Sequence, residues 1–198
     1  EPFAPLNLDA IMPQYRDKAN PPAWWGMNVW GATICFNTVE AKKRNISKPE
    51  TWKDLTKPEY KGQIVMPNPA SSGTGYFDVI AWLTLFGDQN GKGGGWKYMD
   101  GLHENIAQYT HSGSKPCNMA ASGEYVLGIS FEYRGNANKA KGAPIDLVFP
   151  KEGLGWDMEA AAILKGTKKL EAAKKVMDFA VTKEANELYA KSYAITAY

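Results

Sequence analysis

The chain has 198 residues, of which 44% are hydrophobic and 22% are charged, and its formal net charge is +2. Such a balance is typical of a globular domain or two small lobes, and it gives no reason to expect nucleic acid or an anionic membrane as a partner. No apolar run approaches the length of a membrane span. Two histidines and two cysteines at unrelated spacings give no zinc signature.

The cysteines form no framework. Cys35 sits in an apolar run and is predicted to be a buried free thiol, while a disulfide with Cys117 stays open as the alternative. Both ends of the sequence look cut, since no initiator Met or signal peptide precedes Glu1. We therefore expect a mature or truncated piece of a longer protein.

The predicted elements alternate between strands and helices. Aromatic and β-branched residues from 24 to 37 predict one or two strands, with a break at Gly31. Further strands are predicted at 63–66, 106–109, 125–131, 145–149 and 159–164, and helices at 39–44, 49–55, 76–86, 96–103, 117–122, 136–141, 168–181 and 183–191. This alternation predicts an α/β protein with a mainly parallel sheet.

One stretch stands out, the segment 67–75 between a buried strand and a helix. It contains two prolines, then Ser71, Ser72, Gly73, Thr74 and Gly75. The first N–H groups of a helix lack internal partners and carry partial positive charge, so this stretch suits a phosphate, phosphonate or carboxylate. The alternative is that Ser71 or Ser72 simply caps the helix.

Two further segments follow predicted strands in the same way, residues 111–116 with their serines and residues 132–135. In open α/β sheets, ligands bind beyond the carboxyl ends of the strands. We expect the three loops to converge on one crevice, which favours the anion site over the cap.

These residues resemble a known family. Residues 60–69 (YKGQIVMPNP) followed by SSGTGY at 71–76, HSGSKP at 111–116, GISFEYRG at 128–135 and EGLGWD at 152–157 are similar to periplasmic substrate-binding proteins of ABC importers. The relevant branch binds ferric iron or 2-aminoethylphosphonate, and the phosphonate-type members look closest. The resemblance covers about the whole chain, through the order and spacing of motifs that are individually weak.

The resemblance implies a type 2 periplasmic-binding-protein fold, with two α/β lobes and a ligand held in the cleft between them. Residues 1–37 would form part of lobe one and the first crossing, residues 38–155 would form lobe two, and residues 156–198 the return crossing and lobe-one helices. Lobe two would be nearly complete and lobe one partial, because the family's N-terminal portion is not in this sequence.

The resemblance also implies ligand-binding roles for Ser72, Gly73 and Thr74 at the anionic end of the ligand. Ser112 and Ser114 would add contacts, with a plain turn before a proline-started helix as the alternative. Glu132 would pair with a ligand ammonium, against the alternative of a surface salt bridge with Arg134 or a lysine.

Three other positions are predicted to take part. Tyr133 aligns with the tyrosine pair of ferric binders, but its neighbours are Phe131 and Glu132, so it is expected to contact a phosphonate rather than iron. Asp157 is a second candidate for a ligand amine, and Trp156 a candidate wall of the cleft, with ordinary hinge packing as the alternative.

The leading hypothesis is therefore a periplasmic, monomeric transport receptor without catalytic residues or cofactors. It captures a phosphonate or related anionic or zwitterionic solute and presents it to an ABC importer permease, and it binds no nucleic acid. A ferric-ion carrier using Tyr133 as metal ligand is the alternative. An enzyme acting on a phosphorylated molecule, with His111 as base, is a third reading, although no nucleophile motif or P-loop lysine is present.

Overall fold

The computed structural model describes all residues from 1 to 198 and shows a mixed α/β fold. In chain order, the strands are β1 (Trp25–Asn37), β2 (Ile64–Pro67), β3 (Ile106–Thr110), β4 (Leu127–Phe131), β5 (Ile145–Val148), β6 (Trp156–Ala161) and β7 (Ile195–Thr196). The α-helices are α1 (Thr38–Arg44), α2 (Gly73–Phe86), α3 (Gly94–His103), α4 (Lys115–Ala121), α5 (Glu132–Ala140), α6 (Leu170–Ala180) and α7 (Lys183–Lys191). Short 3₁₀ helices cover Leu8–Ala10, Pro13–Tyr15, Lys53–Thr56 and Pro58–Tyr60.

The chain divides into two compact units. One consists of residues 1–30 and 157–198, and the other of residues 31–156. Strand β1 contributes residues to both units. The sequence predicted a break at Gly31, but the strand continues through this residue. The boundaries of the predicted lobes, 1–37, 38–155 and 156–198, stay a prediction.

The unit of residues 31–156 is built on a sheet in the order β3-β2-β4-β1-β5. Strand β2 runs parallel to β3 and β4, whereas β1 runs antiparallel to β4 and β5. The prediction of a mainly parallel sheet therefore holds for the direction of β3, β2, β4 and β5, but β1 enters between β4 and β5 in the opposite direction and makes the sheet mixed. A cluster of buried apolar residues, including Trp52, Trp82 and Leu127, fills this unit.

Local chemistry explains where the first helix begins and ends. The Asn37 side chain accepts hydrogen bonds from the backbone N–H groups of Val39 and Glu40, which caps α1. Asn45 ends the helix with a left-handed backbone (φ 54°), a conformation that Asn tolerates better than most residues.

The free-thiol prediction for Cys35 is wrong, because Cys35 and Cys117 form a disulfide that links β1 to α4. Both cysteines are fully buried with Ala120 and Ile145, so the apolar run around Cys35 reflected burial correctly but did not reveal the bond. The bond closes a sequence separation of 82 residues, and sequence spacing carries no signal for such a pairing.

The unit of residues 1–30 and 157–198 has its own small core around Trp25, with Ile11, Ile163 and Val181 among its members. Strand β7 pairs antiparallel with residues 28 and 29 of β1. The predicted strand at 159–164 lies earlier, as β6. None of the helices in either unit is both long and apolar enough to cross a membrane.

Candidate functional site

The three segments that the sequence predicted to converge do meet at one edge of the sheet. Strands β3, β2 and β4 are parallel neighbours, so their carboxyl ends lie on the same side. The backbone N–H of Asn68 donates to the Thr110 carbonyl (2.7 Å), which joins the segments after β2 and β3. The Ser130 hydroxyl on β4 donates to the Gly113 carbonyl (2.7 Å), which joins the segments near the ends of β3 and β4.

Helix α2 presents its N-terminus at this edge. The first hydrogen bond of the helix runs from the Tyr76 N–H to the Ser72 carbonyl (3.0 Å). The N–H groups of Gly73, Thr74 and Gly75 therefore have no acceptor within the helix. The Ser72 side chain makes no capping bond, although Ser72 is the N-cap residue. The simple cap interpretation therefore fails for Ser72, and the donors of this turn are available.

The second loop packs directly against this turn. A Cβ atom on Gly113 would lie 2.2 Å from Thr74 Oγ1 and 2.9 Å from Thr74 Cβ, so only glycine lets the two segments approach this closely. Gly75 fulfils a similar role, because a Cβ there would lie 2.5 Å from the Pro67 carbonyl oxygen. The glycines thus hold the α2 N-terminus against β2 and the 111–114 loop. We call residues 72–74 with residues 112–114 the anion cradle.

The hydroxyl groups of the second loop are not used as helix caps. Ser112 Oγ and Ser114 Oγ lie 3.0 Å apart and share one hydrogen bond. Ser114 is the N-cap residue of α4, yet its side chain makes no capping bond. The Thr110 hydroxyl donates to the Ser112 carbonyl (2.8 Å) and orders the turn.

A serine–histidine pair lies at the rim of the anion cradle. Ser71 Oγ and His111 Nδ1 are 2.8 Å apart, and both residues are exposed. Sequence reasoning placed each residue beside the cradle but did not pair them, because they lie 40 residues apart. The pair joins the first two loops, and a hydrogen-bonded imidazole here suits a nearby anion.

Glu132 differs most from its sequence interpretation. The segment 132–135 is the first turn of α5 rather than a loop, because the helical pattern of residues 136–141 extends back to the end of β4. Glu132 is buried, and its Oε2 accepts a hydrogen bond from the Gly31 N–H at 2.7 Å, so the alternative of a surface ion pair with Arg134 or a lysine fails, while the ligand role stays a prediction. Its Oε1 is buried without a partner, and burial raises the pKa of the carboxyl.

The remaining predicted positions are placed less directly. Tyr133 follows Glu132 in α5 and is half-buried, with its ring centroid 4.4 Å from that of Phe131. Asp157 is a half-buried residue of β6 and belongs to the unit of residues 1–30 and 157–198. Trp156 precedes it and is exposed. The ligand roles of all three stay predictions.

Sequence reasoning missed Asp78, which lies on α2 one turn beyond Thr74. It is fully buried, both carboxyl oxygens lack a partner, and burial raises its pKa well above the ordinary value. The available signal was a single acidic residue inside the apolar run 76–86. Across the whole chain, no three His, Cys, Asp or Glu residues are grouped so as to hold a metal ion.

The comparisons with known proteins agree with this architecture. The chain belongs to the bacterial extracellular solute-binding proteins, because the model of that family matches residues 1–198. An uncharacterised protein of Haemophilus influenzae is 33% identical over 191 residues, which are 95% of this chain and 54% of that protein. The spermidine/putrescine-binding periplasmic protein of Escherichia coli is 29% identical over 155 residues, covering 76% of this chain and 42% of that protein.

One solved structure shares this fold over the whole chain. The periplasmic binding protein AfuA of Actinobacillus pleuropneumoniae, with exogenous fructose-6-phosphate bound, is 35% identical with a TM-score of 0.90. The match covers 100% of this chain and 62% of AfuA, which confirms the predicted family and the type 2 periplasmic-binding-protein fold. The chain spans between 42% and 62% of the length of these relatives.

Proposed function

We propose that this chain is the solute-binding component of an ABC importer and that its anion cradle holds the phosphoryl group of a small phosphorylated or phosphonate solute. The observation that carries the proposal is the turn of free N–H groups at Gly73–Gly75, packed against the hydroxyls of Ser112 and Ser114. Helix N-termini of this kind bind oxyanions through the N–H donors and the helix dipole. AfuA, which carries fructose-6-phosphate, supports the phosphoryl group as cargo.

Glu132 is proposed to contact the other end of the solute. Its Oε1 is buried and unpartnered, a state that native proteins avoid unless a ligand or water completes it. Burial raises the pKa of the Glu132 carboxyl, because the charged form is poorly solvated there, so a neutral or positively charged ligand group at this end suits the site better than a second anion. A ligand hydroxyl or ammonium at Oε1 would satisfy this atom, with Tyr133 and Asp157 as further candidate contacts.

The proposed setting follows from the family. Bacterial extracellular solute-binding proteins deliver their ligand to a membrane permease, so we propose a periplasmic location and an ABC importer permease as partner. The Escherichia coli relative and AfuA are both named as periplasmic binding proteins. The reading of His111 as a catalytic base therefore has little support, even though it hydrogen-bonds Ser71.

The test is titration calorimetry on this chain and on the longest natural protein that contains it. The solutes are fructose-6-phosphate, 2-aminoethylphosphonate, inorganic phosphate, putrescine and ferric citrate. We expect the phosphoryl compounds to bind and the diamine to fail, because the cradle presents hydrogen-bond donors and no paired carboxylates. Binding of putrescine or ferric citrate alone would refute the cradle as an anion site.

A variant pair tests the geometry. Gly113→Ala places a methyl group against Thr74, so we expect the affinity for the bound phosphoryl compound to fall at least about tenfold, a loss of about 1.4 kcal/mol. Gly101→Ala on α3 is the matched control. A Cβ atom at position 101 would contact only the Thr56 side chain, at a tolerable distance of 3.4 Å. Unchanged affinity in a folded Gly113→Ala protein would contradict the proposed site.

A further inference from the structure

The unit of residues 31–156 contains a cavity whose lining shares no residue with the anion cradle. It has a volume of about 380 Å³, which is within the range of small-molecule sites. None of its lining residues is among the cradle residues 72–74 and 112–114; they come from β2, β3, α2, α3 and the segment that follows β2. They are Met66, Pro69, Val79, Trp82, Trp96, Met99, Asp100, Leu102, His103 and Tyr109.

The floor of this cavity is apolar. Met66, Trp82 and Leu102 are buried members of the core, and Val79 and Met99 pack against them. Thioether and aromatic groups adapt to varied apolar shapes and attract polarizable or aromatic ligands. The floor therefore favours a hydrocarbon or aromatic body over a sugar.

Two aromatic side chains form walls that are held in place. Trp96 is 38% exposed, and its Nε1 donates to Asp88 Oδ1 at 2.8 Å. Tyr109 is 37% exposed, and its hydroxyl lies 2.8 Å from His103 Nδ1 while the two rings stack at 24° with centroids 5.8 Å apart. Walls fixed in this way lose little conformational entropy when a ligand enters.

One carboxylate, that of Asp100, lines this aromatic cavity and makes no ion pair or side-chain hydrogen bond. Trp96, Met99, Asp100 and His103 follow a helical spacing that places them on one face of α3. Asp100 makes none of the ion pairs or side-chain hydrogen bonds of the chain, although exposed acids of other helices pair with lysines, as Glu171 does with Lys174. The cavity therefore combines a fixed negative charge with aromatic faces, which is the environment that recognises an organic cation.

We propose that this cavity binds a small primary ammonium compound with an aromatic or aliphatic body. The ammonium pairs with Asp100 and contacts the faces of Trp96 and Tyr109, and the apolar body lies on the floor formed by Met66, Val79 and Met99. The site is independent of the anion cradle, so either proposal can fail without the other.

The experiment follows amide shifts of the full chain by NMR during titration with 2-phenylethylamine, 2-phenylethanol and phenylacetate. We expect shifts at the residues lining the cavity and an affinity for the amine at least about fivefold above that for the alcohol, with the acid weakest. Asp100→Asn is expected to remove that advantage and leave the alcohol unchanged. Trp96→Ala is expected to weaken both ligands, and the amine more than the alcohol, because it removes an aromatic face that contacts the ammonium.

The control is Glu104→Gln, which removes a negative charge at the end of the same helix but outside the cavity. It should alter neither affinity. Equal binding of amine and alcohol, an amine advantage that survives in Asp100→Asn, or shifts elsewhere than the cavity would overturn the proposal. Asp100 is exposed, so its replacement leaves the fold intact and every outcome remains informative.

Discussion

At the scale of single residues, Asp78 is the buried ionisable group of the helix whose N-terminus forms part of the anion cradle. It lies one turn beyond Thr74, fully buried and without a hydrogen-bond partner. The Tyr98 phenol lies close by, and its own burial, followed by the charges of Asp78 and Glu152, raises the pKa of Tyr98 well above its usual range. A protonated Asp78 leaves the α2 N-terminus attractive to an anion, whereas an ionised one would oppose it.

The buried carboxyl predicts a pH-dependent stability. Burial raises the pKa of Asp78 in the folded state above its value of about 3.9 in the unfolded chain. The contribution of Asp78 to the free energy of unfolding is therefore fully present below about pH 3.9, where the carboxyl is neutral in both states. This contribution is lost as pH rises through the folded-state pKa. The side chain of the Asp78→Asn variant cannot ionise. At pH 8 we expect urea unfolding to give this variant a free energy of unfolding about 1–3 kcal/mol above that of the parent. At pH 4 the difference should largely vanish.

The comparison isolates Asp78, because the two proteins share every other titratable group. Asp100→Asn serves as the exposed control and should stay within about 0.5 kcal/mol of the parent at both pH values. An Asp78→Asn protein that is equally destabilised at pH 4 and pH 8 would mean that the carboxyl has a structural partner, and that its charge is not what the fold opposes.

At the scale of elements, the disulfide fixes the helix that carries the second loop of the cradle. Cys117 is near the start of α4, in the helix that follows the loop with Ser112 and Ser114, and Cys35 is on β1. Gly128 supports the same contact from β4, because a Cβ there would lie 2.2 Å from the Pro116 carbonyl oxygen. The position of the serines therefore depends on a covalent bond and on close backbone packing.

Removal of the bond gives the second stability prediction. A cross-link that closes a separation of 82 residues restricts the unfolded chain, so Cys35→Ala with Cys117→Ala should lower the free energy of unfolding by roughly 4–5 kcal/mol. Urea unfolding of the double variant and of the oxidised parent measures it. A loss below about 1 kcal/mol would show that the bond contributes little to the fold.

The sequence predicted element types well where the pattern was long and local. Helix α2 and strand β4 follow apolar patterns that lie wholly within their own segments, and the turn between β2 and α2 was visible from its glycines and hydroxyls. Helix α5 was predicted four residues short, because Glu132 and Tyr133 favour no element on their own and the helix start depends on the end of β4. The direction of β1 depends on its partners 90 to 115 residues away, which no local pattern encodes.

The candidate site shows the same division. Ser72, Gly73 and Thr74 were predictable because helix N-termini have a local chemistry. The burial of Glu132 was not predictable, because the Gly31 N–H from which it accepts a hydrogen bond is 101 residues distant. Asp78 was missed because full burial of a carboxyl is a tertiary property, and composition alone treats an acid in a helix as a surface residue.

At the scale of the whole molecule, the two compact units have cores of different size. The main core of residues 31–156 contains 16 buried residues, and that of residues 1–30 with 157–198 contains 6. In the larger unit, residues 34–36 of β1 pair with strands on both sides. In the smaller unit, β7 has two residues, and Ile195 is 55% exposed.

These differences predict unequal protection of backbone amides. We expect the amides of residues 34–36 to exchange with deuterium at least about a hundredfold more slowly than those of residues 195–196, because local opening is easiest where few apolar contacts must be broken. Native-state hydrogen exchange followed by NMR measures both sets in one sample. Equal protection would indicate that the two units open together.

The link between Cys35 and Cys117 also governs how the molecule is made. The two cysteines are distant in sequence and become neighbours only when β1 and α4 have come together, so oxidation follows folding of that region. Reducing compartments keep such thiols reduced, whereas oxidising compartments allow the disulfide to form. Chains kept under reducing conditions would therefore lack this link, and their 111–114 loop would be held less firmly in the anion cradle.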